Sequence, residues 1–165
     1  DDLRLGWEAL LSRWPDQQAR VRPPKARLQD YRVAYLDEWT FGADRMVISQ
    51  AVRRRLASLM DEDVLIVGSG NVVHNLRMVA WDGENKGYEW AHRFDDDVRR
   101  IMTGQPDSLP EVQSSDDYQL AVPTPDHFYP LAYIAGLAAT KANAVGTFAE
   151  GCTLGSLSMT SYRVR

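Results

Sequence analysis

The chain has 165 residues, 44% of them apolar and 25% charged, and a formal net charge of −4. That is enough for one domain with a real hydrophobic core and has the balance of an ordinary globular protein. The acidic excess argues against a general nucleic-acid-binding role. The single cysteine, Cys152, excludes an internal disulfide and a thiolate metal cluster, and it fits a reducing, cytoplasmic setting. No apolar run approaches the roughly 18 residues that would span a bilayer, so no membrane partner is expected. The opening DDLRLGWEALL lacks a signal-peptide pattern. It starts on Asp1 rather than methionine, which is compatible with a piece of a longer protein.

In chain order, Leu3, Trp7, Leu10, Leu11 and Trp14 repeat mostly at helical spacing and predict a short amphipathic helix over 2–14, ended by Pro15. QQARVRPPKARLQD reads as a loop or linker, and DYRVAYLDEWTF as a short strand or an irregular segment. Asp44 is a candidate N-cap for a helix to about Met60, with Val52, Leu56 and Leu59 on the buried face and Arg53, Arg54 and Arg55 in water. After the turn Asp61-Glu62-Asp63, the run VLIV at 64–67 predicts a strand buried on both faces. A glycine turn and a helical turn with His74 and Leu76 follow. WDGENKGY is a surface loop. Ala91, Phe94, Val98 and Ile101 form the stripe of a helix over about 88–102. Residues 103–117 read as a polar loop, 120–122 as a brief strand, and Pro123-Thr124-Pro125-Asp126 as the start of a third helix, HFYPLAYIAGLAA. LGSLSMTSYRV alternates small polar and apolar residues and reads as a final strand. Such alternation of elements predicts an α/β fold with a central, mostly parallel or mixed sheet flanked by helices. The expected organisation is a divergent segment, 1–43, and an α/β domain, 44–165.

The stretch VLIVGSGNVVHNLR poses the functional question. Gly68-Ser69-Gly70 opens like a dinucleotide fingerprint, but Val73 stands where the third glycine belongs, and Trp81 and a loop stand where a ribose-binding acid should end a second strand. A tight turn relieved by glycine is the simpler account. His74 then lies just past the C-terminal end of the expected strand, the edge of α/β sheets where ligands collect. A lone histidine there is more often structural. His127, in PTPDHFYPL, falls in the first turn of the third helix, held by prolines. Asp126 beside it either caps that helix or orients an imidazole. His92 reads as structural or exposed, and Asp95-Asp96-Asp97 as a solvated helix face. Ser158, Thr160 and Tyr162 are candidates for meeting a substrate.

VLIVGSGNVVHNLR, YEWAHRFDDDVR, VPTPDHFYPLAYIAGL and GSLSMTSYRV, in that order and at these separations, resemble the class III extradiol ring-cleavage dioxygenases, in the DOPA 4,5-dioxygenase-like branch, over about residues 44–165. The resemblance implies a non-haem metal site that opens a catechol ring with O₂. It implies that His127 is a metal ligand and that His74 is a ligand or an acid–base group close to the metal. Ser69, Asn71 and Asp126 are placed near the substrate or behind the ligands. It also implies Fe(II) for activity, with Zn(II) able to occupy the same imidazoles.

The family's N-terminal half carries further metal-binding histidines. Residues 1–43 hold no histidine and do not resemble it; the three histidines here are His74, His92 and His127. Three explanations stand: a fragment of a longer gene, a rearranged relative whose site is completed by a second copy or a partner chain, or an inactive family-like domain that serves as a binding or oligomerisation module.

Overall fold

The computed structural model describes residues 56–62, 64–82, 86–141 and 144–164. By internal contacts the chain divides into units Asp1–Asp37 and Glu38–Arg165, and all described residues lie in the second. The helix expected over 2–14, the linker, the segment DYRVAYLDEWTF, most of the helix expected from Asp44, and the boundary at 43/44 lie outside the described residues.

Residues 56–60 are helical, and Leu56 and Ala57 are buried against Leu137 in a small core of their own. The main core forms around α1, Glu89–Gly104, where Ala91, Phe94, Asp95, Val98 and Met102 are buried. Their spacing is that of one face of a helix. The register places Met102 rather than Ile101 at the stripe's end, with Ile101 only partly buried. The segment expected as a polar loop is instead a 3-10 helix, Pro106–Ser114, that buries Leu109 and Val112. Its proline at the first position suits a helix start, where an N–H has no partner anyway.

The strand expected at 120–122 is the short helix α2, Tyr118–Ala121, closed by the Val122 N–H on the Tyr118 carbonyl at 2.8 Å. A 3-10 turn, Pro125–His127, leads into α3, Tyr129–Lys141. Phe94, Tyr118 and Phe128 meet at the centre with ring centroids 6.1–6.5 Å apart, joining α1, α2 and the start of α3.

The strands are β1, Val145–Ala149; β2, Cys152–Thr153; β3, Leu157–Ser158; and β4, Ser161–Val164. They pair as two small antiparallel sheets, β1 with β4 and β2 with β3. The fold is thus a mixture of helix and strand as expected, but the described strands form no central parallel sheet. VLIV is the clearest correction. Residues 64–67 form no strand, and Leu65 and Val67 are 85% and 76% exposed. A strand exists by virtue of neighbours that accept its hydrogen bonds, and among these residues only the Val64 N–H has a described backbone partner, the Leu59 carbonyl of the preceding helix at 3.2 Å. Among the described residues, no helix is long and apolar enough to cross a membrane.

Candidate functional site

The glycine turn shapes itself to the backbone around His127. A Cβ on Gly70 would lie 2.1 Å from the His127 carbonyl oxygen, and one on Gly68 would lie 3.1 Å from that of Pro130. Only glycine lets the two segments approach this closely. The Asn71 N–H then donates to the His127 carbonyl at 2.9 Å, locking turn to turn. No helix N-terminus follows the glycines: the chain instead enters a 3-10 turn at Leu76–Met78. The pyrophosphate cradle of a dinucleotide site is therefore missing among the described residues.

From this crossing, His74 and His127 come into ring contact, with centroids 3.8 Å apart and planes inclined by 32°. The His74 N–H donates to the Ala121 carbonyl at 2.9 Å, and His74 bridges Leu157 of β3. Asn75, buried next to it, fixes the rest of the turn. Its side chain donates to the Leu120 carbonyl at 2.8 Å and accepts from the Arg77 N–H, and the Ser156 hydroxyl donates to its carbonyl at 2.7 Å. His127 is exposed, and its Nε2 is 3.3 Å from a carboxylate oxygen of Asp126. No side chain caps the 3-10 turn that precedes α3. A hydrogen bond from Thr124 is the main cause that holds the Asp126 carboxyl below its ordinary range, with both histidines adding to it. His74 is shifted below 6.5, first by burial and second by the neighbouring His127. A neutral imidazole at pH 7 follows, ready to bind a metal or accept a proton.

Asn71 lines a cleft of about 520 Å³ together with His127, and its side chain donates to the Ser158 carbonyl at 2.9 Å. Ser69 is exposed and makes no described contact with either histidine. His92 is exposed on α1, as expected.

Asp96 and Asp97 pair with Arg99 and Arg100 on the wet face of α1. Asp95 departs from the expected solvated face. It is 3% exposed and accepts hydrogen bonds from the hydroxyls of Ser158 and Thr160. These hydroxyls therefore turn inward to α1 rather than toward a ligand. Tyr162 lines the cleft, but its hydroxyl is buried and has no hydrogen-bond partner among the described residues. The sequence carries a signal for this network: Asp95 falls on the apolar stripe four residues after Ala91, and Ser156, Ser158 and Thr160 alternate at strand spacing.

Imidazoles are donors suited to Fe(II) or Zn(II). Among the described residues, no group of three or more His, Cys, Asp or Glu side chains is placed to hold a metal ion. The pair fits a metal centre as part of its ligand set.

No family model matches the chain. It is 41% identical over 115 residues to a protein of Escherichia coli K12 named 4,5-DOPA dioxygenase extradiol, a match covering 67% of this chain and 42% of that protein. A Beta vulgaris protein of the same name is 37% identical over 95 residues, or 54% of this chain and 34% of that one. The crystal structure of an uncharacterized protein from Escherichia coli K12 superimposes with a TM-score of 0.61 at 38% identity, over 67% of this chain and 47% of that chain. The chain belongs to the class III extradiol dioxygenases. Within that family it is a partial member of the DOPA 4,5-dioxygenase-like branch, and it spans less than half the length of the curated relatives it matches.

Proposed function

We propose that the chain contributes the His74–His127 part of an extradiol dioxygenase site, which opens the ring of a catecholic substrate such as DOPA with O₂. The observation that carries this reading is the ring contact of the two histidines at 3.8 Å, made by two turns far apart in sequence. The names of the relatives supply the substrate class. Fe(II) is the metal proposed for turnover, and Zn(II) suits the same imidazoles. When bound, Fe(II) supplies open positions at which a catechol and O₂ meet.

His127 is proposed as a ligand, presented on a turn whose carbonyl is tied to Asn71, with Asp126 orienting its ring. His74 is proposed as the acid–base group. Neutral at pH 7, it takes a proton from a catechol hydroxyl and later returns one. The apolar walls of the cleft beside His127 receive the aromatic ring and exclude water from it. Asn71 and Ser69 are proposed to lie near the substrate, and the remaining ligands come from outside the described residues.

The test is anaerobic Fe(II) titration of the purified chain, then L-DOPA and air, watching for a yellow ring-opened product. Product above a metal-free blank that disappears in His127→Ala supports the reading. In His74→Gln, turnover should fall much further than iron affinity; an equal loss of both would make His74 a ligand instead.

A further inference from the structure

Asp95 stands on the buried stripe of α1, between Phe94 and Val98, and is 3% exposed. An apolar side chain would fill that position without the cost of taking a carboxylate out of water. Among the described residues no ion pair offsets that cost; Arg99 of the same helix pairs with Asp96 and Glu150 instead. The two oxygens of Asp95 accept from the Ser158 and Thr160 hydroxyls, the latter at 2.7 Å. Asp95 is not among the residues that line the cleft.

Ser158 carries the connection onward. Its hydroxyl donates to Asp95 and accepts from the Thr160 N–H at 3.1 Å. Its N–H donates at 3.0 Å to the carbonyl of Val73, the residue before His74, and its carbonyl accepts from the Asn71 side chain at 2.9 Å. The Asn71 N–H in turn donates to the His127 carbonyl at 2.9 Å. Hydrogen bonds in series thus lead from Asp95 to both histidine-bearing turns. Alternation makes the pattern specific. Ser156, Ser158 and Thr160 are buried, whereas Leu157 is partly exposed and Met159 is exposed. A slip by one residue would bring Leu157 or Met159 against the carboxylate and move the Ser158 carbonyl off Asn71. Any register that leaves Asp95 without donors strands a carboxylate in the core, so few alternatives are tolerated.

We propose that Asp95 is a positioning residue of the histidine site: it locks the register of 156–160, and through Ser158 it sets where Asn71 and the ring pair of His74 and His127 stand. The placement stands on geometry alone; its consequence for turnover rests on the dioxygenase reading. In that reading a displaced His74 is a displaced acid–base group, so Asp95 governs kcat more than substrate affinity.

The test compares three variants of the full chain, metal-free and at one fixed pH. Asp95→Ala removes the carboxylate, Ser158→Ala removes only a hydroxyl that reaches it, and Val98→Ala removes buried volume from the same stripe but no side-chain hydrogen bond. Circular dichroism establishes which are folded. NMR then reads the mutual ring-current shifts of His74 and His127, and the resonance of the Asn71 side-chain amide. In Asp95→Ala and Ser158→Ala the mutual ring shifts should be lost, and the Asn71 amide should move to the position of a solvated one. In Val98→Ala both should stay at parent values. Should Asp95→Ala fail to fold, the milder Ser158→Ala carries the comparison. Parent values in a folded Asp95→Ala or Ser158→Ala overturn the proposal. So does an equal change in Val98→Ala, because lost stability alone would then account for it. In the Fe(II) and L-DOPA assay, Asp95→Ala should lower kcat on the order of tenfold or more with a smaller change in KM. A parent chain that makes no yellow product, but whose ring shifts depend on Asp95, upholds the positioning and sinks the chemistry.

Discussion

Replacing Asp95 tests whether the histidine-bearing turn is held from behind. The carboxylate is 3% exposed and accepts from the Ser158 and Thr160 hydroxyls, the latter at 2.7 Å. Ser158 is in turn bonded to the other side of the site: its N–H donates to the Val73 carbonyl at 3.0 Å, and its carbonyl accepts from the Asn71 side chain. Hydrogen bonds to a charged group contribute about 1.5–3 kcal/mol each. Two of them give a gross loss of about 3–6 kcal/mol in Asp95→Ala, offset in part because a buried carboxylate is no longer desolvated. The hydroxyls also keep lesser partners, since Ser158 accepts from the Thr160 N–H and Thr160 from the Gly151 N–H. A net loss of about 2–4 kcal/mol is expected. Asp95→Asn keeps one acceptor oxygen and should lose about half as much. Urea denaturation followed by circular dichroism measures both, read as a lowered midpoint at unchanged slope. A double-mutant cycle with Thr160→Val should give a coupling of about 1 kcal/mol or more. Asp95→Ala within about 0.5 kcal/mol of the parent, the range of ordinary surface changes, would refute the argument that this network supports the turn.

Gly70→Ala should abolish the native crossing of the two turns, because its Cβ would sit 2.1 Å from the His127 carbonyl; loss of the mutual ring-current shifts of His74 and His127 in NMR spectra would show it. Burial is the main cause that pushes the Cys152 thiol up to about 12, so at pH 8 it should react with a disulfide reagent far more slowly in the native chain than in urea. In metal-free protein, His74 should titrate below 6.5, and His127→Gln should raise its midpoint by removing the second of its two lowering causes. Because its folded value is depressed, the stability linked to His74 is present above 6.5 and lost as pH falls through the folded value; urea midpoints that rise on acidification across that window would contradict the assignment.

The parts of the fold legible in sequence are those set by local periodicity. The stripe of α1 and the start of α3 follow from apolar spacing and paired prolines. Sequence misleads where the outcome depends on distant partners. VLIV reads as a strand because its side chains suit one, but strands need neighbours, and none is described beside it. LAV at 120–122 fails for the same reason, closing into a helical turn that gives its Ala121 carbonyl to His74. Asp95 reads as solvated because three acids in a row suggest a wet face, yet helical geometry sends one of them inward, where two hydroxyls meet it. The histidine pair is legible only through a resemblance; spacing alone does not join residues so far apart. The physical signal for the contact lies in Gly70, whose missing side chain is what permits it.

The same features explain how the two histidines are held together. Among the described residues, those that position His74 and His127 lie at 70–75, 120–127 and 156–160, with Asp95 of α1 behind them, and they tie one another through backbone hydrogen bonds, the Asn75 side chain and the Asp95 hydroxyl network. The geometry of the histidine pair is thus set by packing and hydrogen bonds within the chain. A pair of imidazoles held in this way needs little rearrangement of its own to bind a ligand.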